Sequence, residues 1–363
     1  MTSIEKVLTG SERAVYSLRA LYKSYGYTQY KMSKFEEYDL YATNKDYLVS
    51  DAVITFTDTD GKLLALKPDV TLSIIKNGKD NPKEVKKVCY GENVYRPSKG
   101  TRSFKEIMQV GLECQGDIDE YVKTEVVVLA VKSLKTISSE YALDLSHLGI
   151  VSAVIDNLGV SNQESKMLLE YLGEKNVQAI QGMLSERGIA EEKLNLLVEI
   201  ANTYGSADMV VEKLKKLALP QPAEECLSQL EQLVLSLKEL GLEKGVNVDF
   251  SVINDMNYYN GIVFKGFIAG VPTGILSGGQ YDNLMQKMGK KSGAIGFAVY
   301  LDELESIAEN LDKYDADVVV LYDDNTPMIK VVKEIEKITA GGESVVCAKN
   351  SADKLRYKRL IKV

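Results

Sequence analysis

An amide and a carboxylate four positions apart, Gln109 and Glu113, are the residues whose types and spacing best suit ligand binding. They lie in Phe104–Gly116, where alternating residues predict a strand that points both side chains to one face. Gly111 between them would let a ligand approach the sheet. An ionised Glu113 only accepts hydrogen bonds, so it suits an ammonium group or an imidazole N–H. The alternative is that this face is the solvated outer surface of an antiparallel sheet.

A second carboxylate and a pair of phenols could complete such a site. Asp69 and Thr71 stand where a predicted helix opens, so they either bind a ligand or cap that helix. Tyr258 and Tyr259 offer two adjacent phenols, and the alternative for them is an edge strand of high β propensity. A pocket rich in carboxylates and phenols, with few bases, favours a cationic amino group over a phosphate as its ligand.

The residue inventory excludes several other chemistries. The sequence has one histidine, His147, so a multi-histidine metal site is impossible and any histidine-dependent triad would have to use it. Its place between two apolar segments favours a packing or capping role. The stretch Gly289-Lys290-Lys291-Ser292 lacks the first glycine of a P-loop. We therefore expect neither a metal nor a cofactor.

The four cysteines form no CxxC pair and indicate buried thiols in a reducing compartment: Cys89, Cys114, Cys226 and Cys347.

Length and composition indicate a soluble globular protein. The 363 residues are 45% hydrophobic and 26% charged, enough for two or three domains with a sizeable core. The net charge of −8 and a pI near 5.1 argue against a dedicated nucleic-acid binder. No apolar run approaches the roughly 18 residues of a membrane span. Because Met1–Gly10 also lacks the apolar core of a signal peptide, we expect a cytoplasmic protein.

Outside the middle of the chain, the sequence pattern predicts a mixture of strands and helices that would position the candidate binding residues. Between about His147 and Glu243 the strand signals disappear, and Leu, Glu, Lys and Ala recur at helical spacing. The remaining pattern predicts helices at Glu5–Tyr25, Tyr121–Ile137, Tyr281–Met288 and Thr326–Ile338, and strands at Val53–Thr57, Leu63–Leu66, Lys87–Tyr95, Phe104–Gly116, Val246–Ile253, Tyr258–Ile268, Thr273–Ser277, Val318–Tyr322 and Ser344–Ala348.

These elements predict an α+β fold in three parts. An antiparallel sheet with flanking helices forms the core from residues 1–146 and 246–314. An all-helical insert occupies 147–245. Residues 315–363 form a truncated α/β tail of about half the normal domain size.

Several blocks, in the same order, resemble the catalytic core of the histidyl-tRNA synthetase family, which has a class II synthetase fold. The match covers roughly Glu5–Leu311. It implies a class II synthetase-like antiparallel sheet flanked by helices, with a helical insert and a short C-terminal α/β remnant. The resembling blocks are Leu66–Thr71 (the family's LRPExT), Tyr95-Arg96 with Phe104–Glu113 (motif 2), Met256–Phe264 (LDYYxxTVFE), Gly278–Leu284 (GGRYDGL) and Gly293–Leu304 (motif 3).

The residues with which this family holds ATP are replaced. The arginine just before the LDYY block is Asn254, the arginine of motif 3 aligns with Glu303, and the arginine of GGRYD is Gln280. Adenylation needs cations around the α-phosphate. A unit charge at ~4 Å, with an effective dielectric of ~20, contributes on the order of 4 kcal/mol, and Glu303 turns that attraction into repulsion. The residues that would hold the amino acid are mostly present.

This combination resembles the ATP phosphoribosyltransferase regulatory subunits, a catalytically silent branch related to the synthetases. The resemblance implies a subunit that the short form of the phosphoribosyltransferase needs for full activity in histidine biosynthesis. It also implies that this subunit mediates feedback inhibition by histidine. We expect a homodimer within a hetero-oligomer, with the catalytic subunit and histidine as partners and with no nucleic acid or membrane among them.

The resemblance assigns roles around histidine and no catalytic residue. The alternative is an active histidine–tRNA ligase, or another amino-acid adenylating enzyme, with a truncated tail. That alternative requires basic residues such as Lys67, Lys99 or Arg102 to compensate for Asn254 and Glu303. The residues expected to bind histidine are Glu113 and Tyr259 at the imidazole, Asp69, Thr71 and Gln109 at the α-amino group, Arg96 at the carboxylate, and the neighbouring Tyr258.

Overall fold

The computed structural model describes residues 8–48, 52–97, 103–253, 258–302, 304 and 314–363. The chain divides into two compact units, one of Ala14–Glu303 and one that joins Leu304–Val363 to the first residues up to Arg13. The finer division into a core, an insert at 147–245 and a tail at 315–363 remains a prediction. Asn254 and Glu303 lie outside the described residues, as do Lys99 and Arg102.

The larger unit is built on a sheet whose central strands are antiparallel. In the described part of this unit the strands of the sheet are β1 (Thr28–Gln29), β5 (Lys86–Pro97), β6 (Phe104–Gly116), β7 (Tyr141–His147), β8 (Tyr204–Ser206), β9 (Val246–Asp249), β10 (Ile262–Ile268), β11 (Leu276–Gln280) and β12 (Gly293–Tyr300). They run in the order β1-β5-β6-β12-β11-β10-β7-β9-β8. Neighbouring strands are antiparallel except for β1 with β5 and β7 with β9. The predicted antiparallel sheet is confirmed, but β1, β7 and β8 were not among the predicted strands.

Strand β6 pairs with β5 beside it in the chain and with β12 from far along the chain. Tyr90 of β5 lies opposite Gly111, and Gly296 of β12 lies opposite Glu113. Both faces of β6 are buried from Gln109 to its end. The alternative of a solvated outer face therefore does not hold here, and the polar face around Glu113 is enclosed.

Helices flank the sheet. Helix α4 packs across β12, β11, β10 and β7, and it begins where the Asp119 carboxylate accepts a hydrogen bond from the Val122 N–H at 2.9 Å. The described helices of the chain up to residue 302 are α1 (Gly10–Ser24), α2 (Tyr38–Thr43), α3 (Thr71–Asn77), α4 (Glu120–Ile137), α5 (Leu148–Asp156), α6 (Asn162–Gly173), α7 (Val177–Glu186), α8 (Glu191–Ala201), α9 (Ala207–Leu214), α10 (Gln221–Glu239) and α11 (Asp282–Lys287).

Several element boundaries differ from the sequence prediction, among them the following three. Helix α1 begins at Gly10, because Thr9 and Glu12 form a reciprocal cap in which each side chain accepts from the other's backbone N–H. Strand β10 begins at Ile262, which leaves Tyr258 and Tyr259 in the preceding loop. Strand β11 contains Gly278 and Gly279 instead of ending before them.

The segment of predicted helices contains one short strand. Strand β8 pairs with β9 at the edge of the sheet. Its three residues are too few for an alternating pattern to appear in the sequence, so periodicity could not reveal it.

A small antiparallel sheet confirms the predicted hairpin. Strand β4 (Leu63–Leu66) lies between β3 (Thr55–Thr57) and β2 (Phe35–Glu37). The turn between β3 and β4 is held by Asp58, whose Oδ1 accepts from the backbone N–H groups of Asp60 and Lys62, both at 2.9 Å.

The C-terminal unit is a small α/β structure. Strand β13 (Ala316–Tyr322) lies between β14 (Val345–Lys349) and β15 (Tyr357–Lys362), all parallel, with α12 (Met328–Ala340) packed against β13. The sequence predicts the first two strands and the helix but not β15.

Two other expectations can be compared with the structure. Cys89 and Cys114 are buried thiols as expected, whereas Cys347 is exposed because it lies on the outer strand β14. In the described part of the chain, no helix combines the length and the apolar character needed to cross a membrane.

Candidate functional site

The side chains selected from the sequence line one cavity of about 230 Å³. That volume lies below the roughly 300–1,000 Å³ of pockets for drug-sized ligands, so the cavity suits a small metabolite. Four structural elements supply the selected residues: Asp69 and Thr71 come from the start of α3, Arg96 from β5, Gln109 and Glu113 from β6, and Tyr258 and Tyr259 from the loop before β10.

Glu113 is the most enclosed carboxylate of the cavity, with 2% of its surface exposed. The Thr71 hydroxyl donates to its Oε1 at 2.8 Å, and the Tyr281 hydroxyl donates to its Oε2 at 2.5 Å. Burial raises the pKa of Glu113 to about 8, although both hydroxyl hydrogen bonds act to lower it. The group therefore holds a proton near neutral pH unless a ligand supplies a compensating positive charge.

Asp69 and Arg96 form the charged pair of the cavity. Arg96 Nη2 lies 3.5 Å from Asp69 Oδ2, and Arg96 Nε donates to the Pro68 carbonyl at 2.7 Å. Burial raises the pKa of Asp69, and the Arg96 guanidinium lowers it. Asp69 Oδ1 also accepts from the Leu72 N–H at 2.9 Å. The capping and cavity-lining interpretations of Asp69 thus both hold.

Gln109 brings an unused donor to the cavity. Its side chain is 2% exposed, and its Nε2 has no hydrogen-bond partner within the described part of the protein. A buried amide without a partner costs free energy, on the order of 1–3 kcal/mol. A ligand carboxylate could accept from this N–H, or the amide could turn and accept from a ligand ammonium group.

Aromatic rings form much of the remaining wall. The rings of Tyr258 and Tyr259 lie 4.5 Å apart, and Tyr258 also contacts Tyr281 at 5.6 Å and Tyr47 at 6.1 Å between centroids. Since both Tyr258 and Tyr259 precede β10, the alternative of an edge strand is wrong for them. Burial raises the pKa of Tyr258 and of Tyr259 well above the ordinary phenol value.

Sequence reasoning missed four of these tyrosines. Tyr281 lies within the block Gly278–Leu284 that the resemblance quoted, so the motif itself carried the signal. Tyr90 is revealed only by the register that places it opposite Gly111. Tyr300 likewise lies within a quoted block, Gly293–Leu304. Nothing in the local sequence of Tyr47 points to the cavity, because only the tertiary fold brings it there.

Two glycines make room for neighbouring side chains, and for Gly111 this differs from the expectation. A Cβ at Gly111 would lie 2.5 Å from the Tyr90 hydroxyl oxygen and 2.3 Å from the Phe297 carbonyl oxygen. Gly111 thus makes room for Tyr90 and not for a ligand, which corrects the sequence prediction. A Cβ at Gly296 would lie 1.8 Å from Glu113 Oε2, so this strand pair accommodates the Glu113 side chain only with glycine opposite.

The charge of the cavity is unsuited to a triphosphate. Among the described residues, Arg96 is the one cationic side chain that lines it, beside the carboxylates of Asp69 and Glu113. Lys67 is engaged elsewhere, because its Nζ lies 2.5 Å from Glu92 Oε2 and its side chain is 1% exposed. Gln280, at the position of the synthetase arginine, donates to Asp282 Oδ2 at 2.6 Å. The described residues also hold no cluster of histidine, cysteine and carboxylate side chains suited to a metal ion.

His147 lies apart from the residues that line the cavity. It ends β7 with 4% of its surface exposed, and its Nε2 lies 3.2 Å from Gln229 Oε1 on α10. Burial lowers the pKa of its imidazole to about 4. The expected packing role agrees with this environment.

The chain has extensive sequence similarity to one family. Residues 7–304 match the family described as histidyl-tRNA synthetase. A protein named ATP phosphoribosyltransferase regulatory subunit, from Caldanaerobacter subterraneus, is 31% identical over 291 residues, which are 79% of this chain and 75% of that protein. A protein of the same name from Acetivibrio thermocellus is 26% identical over 314 residues, 84% of this chain and 75% of the relative.

Solved structures share the fold at lower identity. A protein from Bacillus halodurans, described as an ATP phosphoribosyltransferase regulatory subunit/histidyl-tRNA synthetase, superposes with a TM-score of 0.77 at 23% identity, covering 97% of this chain and 93% of that chain. A chain of an ATP phosphoribosyl transferase complex from Thermotoga maritima gives a TM-score of 0.64 at 18% identity, covering 80% of this chain and 96% of that one. These likenesses confirm the class II synthetase-like fold.

Proposed function

Since this chain belongs to the histidyl-tRNA synthetase family, within its group of ATP phosphoribosyltransferase regulatory subunits, we propose that it is the regulatory subunit of a phosphoribosyltransferase that begins histidine biosynthesis. The short catalytic subunit would need it for full activity, and histidine would inhibit the complex through it. The name shared by its relatives supports the partnership. The observation that carries the histidine site is the cavity in which two carboxylates face one guanidinium.

That charge pattern suits an amino acid with a further N–H group. A zwitterion offers an ammonium group for Asp69 and a carboxylate for Arg96. Thr71, whose hydroxyl proton is donated to Glu113, can accept from the ammonium group, and Gln109 can hydrogen-bond to either end. Glu113 is more enclosed than Asp69, so we assign it to the ligand's side chain. Imidazole is a side chain that can donate to Glu113 or take its proton. Tyr258 and Tyr259 would pack against the ring.

We also propose that the subunit is catalytically silent. Asn254 and Glu303 replace arginines that a ligase needs around ATP, and the described wall of the cavity contributes no cation except Arg96, which already pairs with Asp69. A ligase transition state gathers negative charge at the α-phosphate, and these residues would repel it or leave it unpaired. Pyrophosphate exchange with histidine and ATP, measured on the purified chain, tests this directly. Exchange above background would establish the ligase alternative.

The proposed assembly is a homodimer within a hetero-oligomer, located in the cytoplasm. Binding of histidine and binding of ligands to the partner's active state would be coupled reciprocally, because linkage requires that each ligand shift the other's affinity by the same factor.

The deciding experiment reconstitutes the complex with the short catalytic subunit and measures phosphoribosyltransferase activity against histidine concentration. We expect the chain to activate its partner and histidine to inhibit the complex. Glu113→Gln should weaken inhibition roughly 10- to 100-fold, the loss typical of a charge-assisted hydrogen bond, and should leave activation intact.

The matched control is Glu106→Gln, on the same strand but at its exposed end, where Glu106 accepts from Tyr95 at 3.1 Å. The control complex should be inhibited by histidine like the parent complex. Equal histidine sensitivity of the parent and Glu113→Gln complexes would show that histidine does not bind in this cavity. A chain that fails to activate the catalytic subunit would refute the regulatory function.

A further inference from the structure

Hydrogen bonds from three different segments converge on Asp282, the first residue of α11. Its Oδ2 accepts from Asn260 Nδ2 at 3.0 Å and from Gln280 Nε2 at 2.6 Å. Its Oδ1 accepts from the Ala294 N–H at 2.8 Å. Its own N–H donates to Asn260 Oδ1 at 2.8 Å, so the Asp282–Asn260 contact is reciprocal.

The network joins the segments that carry the tyrosine wall. Asn260 directly follows Tyr258 and Tyr259, and its N–H donates to the Gln280 carbonyl at 3.0 Å. Tyr281 directly precedes Asp282, and its N–H donates to the Ala294 carbonyl at 2.8 Å. The loop before β10 and the ends of β11 and β12 are therefore fixed to one another at Asp282.

The glycines around the network show that its side chains are tightly packed. A Cβ at Gly261 would lie 2.3 Å from Gln280 Oε1, and one at Gly279 would lie 2.8 Å from the Tyr259 ring. Asp282 itself lies outside the wall of the cavity. Its effect on a ligand must therefore pass through Tyr258, Tyr259 and Tyr281.

We propose that Asp282 is a positioning residue, which sets the affinity of the cavity for its ligand by holding the loop of Tyr258 and Tyr259 against β11 and by orienting Tyr281 toward Glu113. This inference rests on the proposed function for the identity of the ligand, histidine. The arrangement of the tyrosines can be tested without histidine.

Asp282→Asn is the informative variant because it keeps the shape of the side chain and removes one acceptor. The introduced amide can still accept from the Ala294 N–H through its oxygen, and Gln280 can turn its own amide to match the new donor. Asn260 cannot adapt in this way, since its Oδ1 already accepts from the backbone N–H of residue 282 and its Nδ2 would then face another N–H donor. We expect histidine to bind roughly tenfold more weakly, measured by calorimetry on the full-length chain.

The double variant Asp282→Asn with Asn260→Asp distinguishes positioning from general damage. It restores the complementary pair with the donor and acceptor exchanged, so it should regain most of the lost affinity at unchanged net charge. Asp80→Asn is the matched control. Asp80 likewise accepts from backbone N–H groups just before β12, those of Lys291 and Ser292 at 2.9 and 3.1 Å, but it does not line the cavity and does not contact Asn260 or Gln280 through a hydrogen bond of its own side chain. The substitution Asp80→Asn should leave the affinity for histidine unchanged.

Nitration by tetranitromethane, mapped by mass spectrometry, reads the tyrosine loop without any ligand. The reagent attacks phenolates, and burial keeps Tyr258 and Tyr259 protonated by raising the pKa of each, so the parent chain should react slowly at both. Asp282→Asn should react faster there and the double variant slowly again. If Asp282→Asn does not fold, Asn260→Ser removes the same contact from the other side.

Parent-like nitration and parent-like affinity in Asp282→Asn would overturn the proposal, as would a double variant that regains neither. If the parent chain itself does not bind histidine, the proposed function fails. The nitration pattern of the variants then decides the positioning role alone.

Discussion

At the scale of single residues, Glu113 shows how an enclosed carboxylate can prepare a site for a base. Water would favour its charged form, but the strand pair and the tyrosines keep water out, and two hydroxyl groups donate to it. Burial outweighs these two hydrogen bonds, which act to lower the pKa of Glu113, and raises that pKa to about 8. A ligand that brings a proton acceptor to this depth can take that proton and remain as a cation beside the carboxylate.

The affinity for histidine should accordingly peak between about pH 6.5 and 8. In that range free imidazole is neutral and Glu113 is protonated, so cavity and ligand together hold the one proton that an imidazolium–carboxylate pair needs. Below about pH 6.5 binding must release a proton, and above about pH 8 it must take one up. The affinity then falls about tenfold per pH unit on either side. Calorimetric titration from about pH 5.5 to about 9.5 measures this.

Glu113→Gln is the check on that profile, because an amide does not titrate. The part of the decline above about pH 8 that comes from Glu113 should disappear in this variant and persist in Glu106→Gln. Loss of the proton from the ligand's own α-ammonium group lowers the affinity of all three proteins alike at the alkaline end. A parent profile that stays flat from about pH 7 to about 9.5 would contradict the proton transfer.

At the scale of elements, the pairing of β6 with β12 decides whether the Glu113 side chain fits. Gly296 should therefore not tolerate even one added methyl group, because its Cβ would lie 1.8 Å from Glu113 Oε2. We expect Gly296→Ala to lower the free energy of unfolding by about 1–3 kcal/mol, as overpacked sites do. Urea denaturation measures the loss.

Gly182→Ala supplies the contrast with the same chemical change. Gly182 lies within α7, and a Cβ there would meet nothing within 4 Å. Alanine should stabilise this helix by about 0.5–1 kcal/mol. Equal effects of the two substitutions would show that the close approach at Gly296 is relieved by movement of the strands.

The elements also show how far the sequence alone could lead. Alternation along β6 predicted the shared face of Gln109 and Glu113, because the two-residue period of a strand is a local property. It could not predict that this face would be enclosed, since Thr71 and Tyr281 reach Glu113 from positions 42 and 168 residues away in the chain.

The same limit explains the missed cavity residues. Gly111 was visible in the sequence, but its neighbour Tyr90 depends on the register between two strands. Tyr258 and Tyr259 were found from their types and from the motif that contains them. Their conformation in a loop depends on Asn260 and Asp282, whose contact spans 22 residues.

At the scale of the whole molecule, carboxylates pair with cationic side chains even in the basic segment near the C-terminus. Three cations near the C-terminus lie within 2.9 Å of a carboxylate. The pairs are Arg356 with Asp315, Lys358 with Asp317, and Arg359 with Glu343. Such pairs are exposed and contribute little to stability, but they neutralise charges that would otherwise attract a phosphate backbone.

We therefore expect no appreciable affinity for tRNA at physiological salt. Binding should be weaker than the roughly 10⁻⁴–10⁻⁶ M typical of non-specific complexes, because paired cations release few counterions when a phosphate backbone approaches. Filter binding with total tRNA at about 0.15 M salt tests this, with an active histidyl-tRNA synthetase as the positive control. Micromolar, salt-sensitive binding would favour the ligase alternative.

The order of the strands along the chain also determines when, during synthesis, the cavity can form. Strand β6 is complete at Gly116, but its partner β12 begins at Gly293. At about 5–20 residues per second, the ribosome needs roughly 10–40 s to make the intervening chain. During that time one edge of β6 stays open and the cavity does not exist. One edge of β6 therefore stays unpaired until the chain has been made through β12, and only then can the cavity bind a ligand.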